Sequence, residues 1–200
     1  MKIFNSPSLL SWGELDLPLF GLSSDWFGKP LDPPQGFALA MDSEQLWFIA
    51  TRQSAAQTRP DAIPGAFVYG LWEYDVAELF IARPDSGEYL EFNLAANGAW
   101  WASKFSAIRM PAQNQPDFTG IITSYHQEDP SDSWLAALAI PLSFLKEAIG
   151  FGEESRINAS FILGTPKRTF HSVNRLPGEQ PDFHQPMAFS KVDLIDIPSF

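Results

Sequence analysis

From Leu71 to Phe105 the chain reads LWEYDVAELFIARPDSGEYLEFNLAANGAWWASKF. Its apolar and polar positions alternate with a period of two. Successive side chains of a strand point to opposite faces, so the pattern predicts a β-hairpin that turns at Arg83-Pro84-Asp85-Ser86-Gly87-Glu88. One row of this hairpin, Ala77, Leu79 and Ile81 with Leu90, Phe92 and Leu94, is wholly apolar and belongs against a core. The other row holds Trp72, Tyr74, Glu78 and Phe80, then Tyr89, Glu91 and Asn93. It gathers aromatic rings, carboxylates and an amide on one side of one sheet. Such a face suits a flat ligand, apolar on its faces and polar around its rim, as a sugar ring is.

Elsewhere Pro and Gly punctuate the chain at short intervals, as many short strands joined by loops require. Residues 1–36 carry Pro7, Pro18, Pro30, Pro33 and Pro34 and predict an irregular lead-in with one strand around Leu17 to Leu22. Strands are expected at Phe37 to Met41 and Leu46 to Arg52, joined by a turn at Asp42-Ser43-Glu44. A long loop follows from Gln53 to Gly65. After the hairpin, Asn97-Gly98 is a strong turn signal leading into Ala99 to Phe105, and a weaker strand runs through Gly120 to Tyr125. The apolar run Trp134 to Ile140 fits strand or helix equally well. Ser143 to Ile149 reads as a short helix stopped by Gly150. The last strands are Asn158 to Gly164 and Val192 to Ile197, with a long loop, Thr165 to Ala188, between them. The expectation is an all-β, two-sheet antiparallel sandwich with one short helix, formed as a single domain over residues 1–200 whose core spans 37–197.

Composition narrows the function classes. Thirteen basic against twenty-four acidic residues give a formal charge of −11. Such a surface repels phosphate backbones and anionic lipid, so neither nucleic acid nor membrane is an expected partner. Cysteine is absent, which removes thiol nucleophiles, thiolate metal sites and disulfides. The first residues lack a continuous apolar segment and a small-residue cleavage site, so a cytoplasmic location is expected. Oligomeric state is left open.

Four pieces of the chain, in order, resemble the family 9 carbohydrate-binding module and the wider DOMON-like group. They are Trp72-Glu73-Tyr74-Asp75 leading into Glu78-Leu79-Phe80, then Tyr89-Leu90-Glu91-Phe92-Asn93 with the Asn97-Gly98 turn and a following tryptophan, then Trp134, an apolar strand and Ile140-Pro141-Leu142, and finally Phe183-His184-Gln185-Pro186 followed by Phe189-Ser190. The resemblance covers roughly residues 40 to 197 and implies an immunoglobulin-like or jelly-roll sandwich. It also implies a saccharide clamped between two tryptophans, its hydroxyls read by acidic and amide side chains. Trp72 stands where one clamp belongs, and Glu78, Glu91 and Asn93 occupy the neighbouring polar positions. The chain departs from the pattern at the second clamp, since no Trp follows Trp134; Phe170 or His171 is left to close the far side.

The candidate ligand-binding set is therefore Trp72, Glu78, Glu91, Asn93, Phe170 and His171, with no chemical step assigned to any of them. Each has a plainer reading beside it: Trp72 packed under the Gln53–Gly65 loop, and the polar row a solvated sheet face. Glu78 and Glu91 could serve glycoside hydrolysis only if burial separated their pKa values, and an open sheet face supplies no burial. Trp100 and Trp101 must point to opposite faces, one toward the core. No cofactor is expected. Calcium at Glu128, Asp129 and Asp132 has suitable oxygen ligands but no recognised spacing. Haem would need a Met–His pairing that no pattern fixes. The rival from another class is a stand-alone interaction or scaffold domain that meets another chain through its aromatic face.

Overall fold

The alternating segment folds as two paired strands, β5 (Val76–Ala82) and β6 (Tyr89–Leu94), and these form the middle of a seven-stranded sheet. The structure, a computed structural model, describes residues 1–13, 15–126 and 132–197. Beside β5 lies β11 (Arg156–Leu163), followed outward by β12 (Thr169–Ser172), with β13 (Ser190–Lys191) also on β11. Beside β6 lie β7 (Trp100–Ala107) and β8 (Met110–Pro111). This is the second sheet; the first, which holds the N-terminal strands, runs β14 (Asp193–Asp196), β1 (Lys2–Asn5), β3 (Pro30–Met41), β4 (Gln45–Arg52), β10 (Trp134–Pro141) and β9 (Ile122–His126), with β2 (Phe20–Ser24) also pairing to β3. Most pairs are antiparallel; β1 runs parallel to both its neighbours. Two packed sheets and α1 (Leu142–Ile149), the one α-helix among the described residues, make the expected β-sandwich.

The core lies between the sheets. The apolar hairpin row, Ala77, Leu79, Ile81, Leu90, Phe92 and Leu94, is buried there against Leu39, Leu46, Phe48 and Leu138 of the other sheet. Burying a large side chain of this kind stabilises by about 1.5–3 kcal/mol. The ambiguous run is strand β10, because its alternate residues Trp134, Ala136, Leu138 and Ile140 face this core while Ala137 and Ala139 join a cluster on the outer side. The helix places Leu142, Leu145, Ala148 and Ile149 inward, on the i, i+3, i+4 face that periodicity dictates. It ends at Gly150, φ 65°, whose N–H donates to the Lys146 carbonyl while that of Phe151 donates to Leu145. Only glycine adopts such a backbone without strain.

The lead-in differs from expectation. It contains β1, β2 and the first half of β3, and its Leu10, Trp12, Leu15 and Leu17 cover the outer face of the first sheet, packed on Ala38, Trp47, Ile49, Ala137 and Ala139. Both outer sheet faces are partly covered. On the second sheet, Leu176, Phe183 and Phe189 pack over Val76, Phe80, Ala82, Tyr89, Phe105 and Ile162. Between this covering segment and the sheet a hollow remains, lined in part by Phe183 and His184, and the candidate site lies there.

Candidate functional site

Strand pairing determines which side chains meet on the outer face of the second sheet. Glu78 stands opposite Asn93 on β6 and Ser160 on β11; Glu91 stands opposite Phe80 and Ser103. Glu78 and Glu91 are therefore diagonal neighbours, in reach of each other for long side chains. They form part of the floor of a hollow of about 510 Å³. Its walls are Tyr69, Trp72, Trp101, Phe105, Ile162, Phe170 and Phe183, with Arg109, Arg168 and His184 among its polar groups. The volume is within the range of small-molecule sites, which pair apolar walls with a few convergent polar groups.

Trp72 is not on the hairpin strand. It lies in a short 3-10 turn, Leu71–Glu73, that enters from Gly70 at φ 84°. Two contacts fix that entry: Arg59 Nη1 donates to the Tyr69 carbonyl at 2.8 Å, and Arg168 Nη1 donates to the Trp72 carbonyl at 3.1 Å. Beneath the turn, buried Asp75 accepts from the backbone N–H of Thr165 at 2.8 Å and of Gln57 at 3.2 Å. It thereby ties the Gln53–Gly65 loop and the Thr165–Arg168 segment to one carboxylate. Trp72 is half-buried, with one edge against Tyr69 (4.8 Å between ring centroids) and the other against Trp101 (4.9 Å, planes at 63°).

Trp101 is the aromatic partner that the candidate set omitted. Alternation along β7 sends Trp100 into the core and Trp101 to the hollow, as expected of neighbours on a strand. The two indoles do not form a clamp. A sugar ring between parallel rings needs roughly 7 Å, two van der Waals contacts. Trp72 and Trp101 instead touch edge to face and make an angled wall, with Phe170 across the hollow.

The acids are the unexpected part. The polar row, expected on an open sheet face, is covered: Glu78 is 3% and Glu91 4% exposed. Glu78 accepts a hydrogen bond from the Ser160 hydroxyl at 3.0 Å, and Glu91 accepts from Asn93 Nδ2 at 2.8 Å. Burial, and for Glu78 also the neighbouring Glu91, raises both carboxyls far above the ordinary carboxylate range. The pair keeps a proton near neutral pH. Next to Glu91, His184 Nε2 lies 3.9 Å from Oε2. Burial lowers His184 to about 4, so its imidazole is neutral. The Tyr89 hydroxyl, raised to about 12 mainly by burial, accepts from the Arg109 N–H at 3.1 Å and lies 2.7 Å from His184 Nδ1. With its proton retained it donates to Nδ1, which leaves the imidazole hydrogen on Nε2, facing Glu91. Arg109 reaches the hollow while paired to Asp182 at 2.8 Å.

Of the candidate set, Trp72, Glu78, Glu91 and Phe170 line the hollow. Asn93 lies fully buried below, positioning Glu91. His171 is not brought there. It follows Phe170 on a strand, so the two point to opposite faces; His171 is fully buried, its ring between Thr169 Oγ1 (2.8 Å) and the Ser24 carbonyl (3.0 Å). Reading Thr165–Ala188 as loop concealed that alternation. Of the calcium candidates, Glu128 and Asp129 lie outside the described residues. Among the described residues no group of three or more His, Asp or Glu side chains is placed to hold a metal ion.

No family model matches the chain, and no curated protein matches its sequence significantly. Solved structures do match. A Bacteroides uniformis protein provisionally described as carbohydrate-binding superposes with a TM-score of 0.63 at 17% identity, over 89% of this chain and 86% of that one. A family 9 carbohydrate-binding module from Caldicellulosiruptor kristjanssonii in complex with cellotriose gives 0.63 at 14% identity, over 99% and 95%. A glucose complex of such a module from the same organism gives 0.63 at 13%, over 100% and 98%. At these identities the likeness is one of fold: this chain has the sandwich of the family 9 modules.

Proposed function

We propose that the chain binds a saccharide in this hollow without changing it chemically. The observation that carries the reading is the convergence of two buried, hydrogen-bonding acids with Trp72, Trp101 and Phe170 on one solvent-reachable cavity. A sugar presents an apolar ring face to an indole, and carboxylates accept from its hydroxyls. The sugar complexes of fold neighbours support the same ligand class. Trp72 and Trp101 supply the stacking wall, Glu78 and Glu91 read hydroxyls at the floor, and Arg109 and Arg168 reach the rim. A single site of this size gives affinities from micromolar to millimolar, about −8 to −4 kcal/mol.

Calorimetric titration with mono- and oligosaccharides tests the reading. Trp72→Ala should abolish binding and keep the fold. The reading fails if no sugar binds, or if the variant binds as the parent does.

A second reading, glycoside hydrolysis, is favoured by one specific observation. Two acids of raised and unequal proton affinity share a cavity, and one protonated acid beside one carboxylate is the arrangement hydrolysis uses. The burial that an open face would have lacked is present. Turnover of a chromogenic glycoside, lost in Glu78→Gln, would replace the binding reading with this one.

A further inference from the structure

We propose, resting on the saccharide reading, that the floor of the hollow recognises an ammonium group and that the ligands are amino sugars. The argument begins with unmatched acceptors. Glu78 and Glu91 are both more than nine-tenths buried, yet the hydrogen bonds they receive come from neutral donors, the Ser160 hydroxyl and the Asn93 amide. Among the described residues no lysine or arginine lies within ion-pair distance of either acid. The nearest base, His184, is neutral, and Arg109 is engaged by Asp182. Asn93, fully buried directly opposite Glu78, has its Oδ1 without a partner. Buried acids are ordinarily paired with a cation. The charge of Arg109 lowers both carboxyls from longer range, but among the described residues no lysine or arginine pairs with either, and both acids line the cavity.

The walls fit the same charge. Trp72, Trp101, Tyr69 and Phe170 line the hollow, and aromatic faces attract cations, tryptophan most strongly. An ammonium carries three donors and no acceptor, the complement of a floor rich in acceptors. A metal ion fits poorly. Calcium requires six to eight oxygens, and the described residues hold no cluster of three ligating side chains. A sugar ring bearing an amine uses both features, the indole wall for its ring face and the acids for its charge. Arg109 and Arg168 at the rim are left for its hydroxyls.

Protonation links to binding. The groups facing the floor are Glu78 on β5, Glu91 on β6, His184 and Asp182 on the covering segment, Arg109 after β7, and Tyr89 beneath. Of these the two acids hold a proton near neutral pH. Entry of an ammonium makes the floor release it to solvent, while entry of a neutral sugar does not.

Calorimetry with glucosamine, glucose and N-acetylglucosamine, near pH 6 to 7 in buffers of different ionisation enthalpy, separates the cases. Glucosamine should bind about tenfold more tightly than the two neutral sugars, the worth of a charge-assisted hydrogen bond over a neutral one, and should release a proton. Glu78→Gln and Glu91→Gln should remove that advantage, bringing glucosamine down to whatever affinity glucose keeps in the same variant. Equal binding of all three sugars, or no proton release with glucosamine, overturns the ammonium inference and leaves the saccharide reading standing. Binding of none of them overturns both.

Discussion

Replacing Glu78 by Gln should flatten the dependence of stability on alkaline pH. Glu78 is displaced from an ordinary 4.5 to about 8, and Glu91 to about 7, chiefly by burial. Between 4.5 and those values the native floor holds protons that the unfolded chain has released, so stability must fall as pH rises through the window. His184, lowered from 6.5 to about 4, acts in the opposite sense, but its contribution is complete by pH 6.5. The N-terminal amine, below its ordinary 8.0 through burial, also opposes the fall. Each pH unit of displacement is worth about 1.4 kcal/mol. From about pH 6.5 to 8.5 the two acids together then withdraw about 2–3 kcal/mol. Urea unfolding midpoints at several pH values measure the loss. Gln keeps the acceptor that Ser160 uses but cannot ionise, so Glu78→Gln should lose less than about 1 kcal/mol over the same window. A parent protein of constant or rising stability there would refute the reasoning. So would a variant that falls as steeply as the parent.

Trp101→Ala should remove sugar binding as fully as Trp72→Ala does while leaving the melting temperature nearly unchanged, since the ring packs only partly against Tyr69 and Trp72; tryptophan fluorescence titration checks both. Asp75→Ala strips two part-buried backbone N–H groups, of Thr165 and Gln57, of their buried acceptor. It should cost about 2–3 kcal/mol in chemical denaturation and weaken binding through the loosened Trp72 turn. Gly98→Ala places a Cβ 2.7 Å from the Tyr125 ring at φ 78°. A loss of about 1–2 kcal/mol is expected from left-handed strain and overpacking, and an unchanged unfolding midpoint would contradict it.

The sandwich was legible because its central strands carry a clean period of two. The hairpin β5–β6, its turn, the core row and the C-terminal glycine of α1 all follow from local pattern and backbone sterics. What escaped depends on distant partners. Lys2-Ile3-Phe4-Asn5 is too short to read as a strand, yet it pairs with Asp193–Asp196 from the other end of the chain. Thr169–Ser172 mixes polar and aromatic residues beside Pro166 and forms a strand only by pairing with β11. The site divides along the same line. Trp72, Glu78 and Glu91 were read from the alternating row, and Phe170 only through the family resemblance. Trp101 was assigned an orientation by alternation but not a role, because the rings it joins, Tyr69 and Trp72, come from a turn rather than a strand. The burial of the acids could not be read at all, since the segment that covers them, with Phe183 and His184, has no periodicity of its own.

Covering a sheet face normally selects apolar or satisfied residues beneath the cover, and most of this face obeys. His171 is the informative contrast. It is a buried titratable group, but both ring nitrogens meet protein partners, Thr169 and the Ser24 carbonyl, so it links β12 to β2 and needs nothing more. Glu78 and Glu91 are buried to nearly the same degree, and among the described residues no lysine or arginine forms an ion pair with either, Arg109 acting on them only at longer range. Packing alone does not account for them, since apolar residues of similar volume at such positions are often neutral or stabilising by about 1–4 kcal/mol. A pair that lowers stability as it ionises, and that faces a cavity walled by tryptophans, is what the proposed ligand would account for. The strand register makes the same point from the backbone. One residue of slip on β6 would turn Glu91 and Asn93 into the inter-sheet core and bring Leu90 and Phe92 to the hollow. The apolar row that fixes the sandwich is therefore also what fixes the acids at the floor.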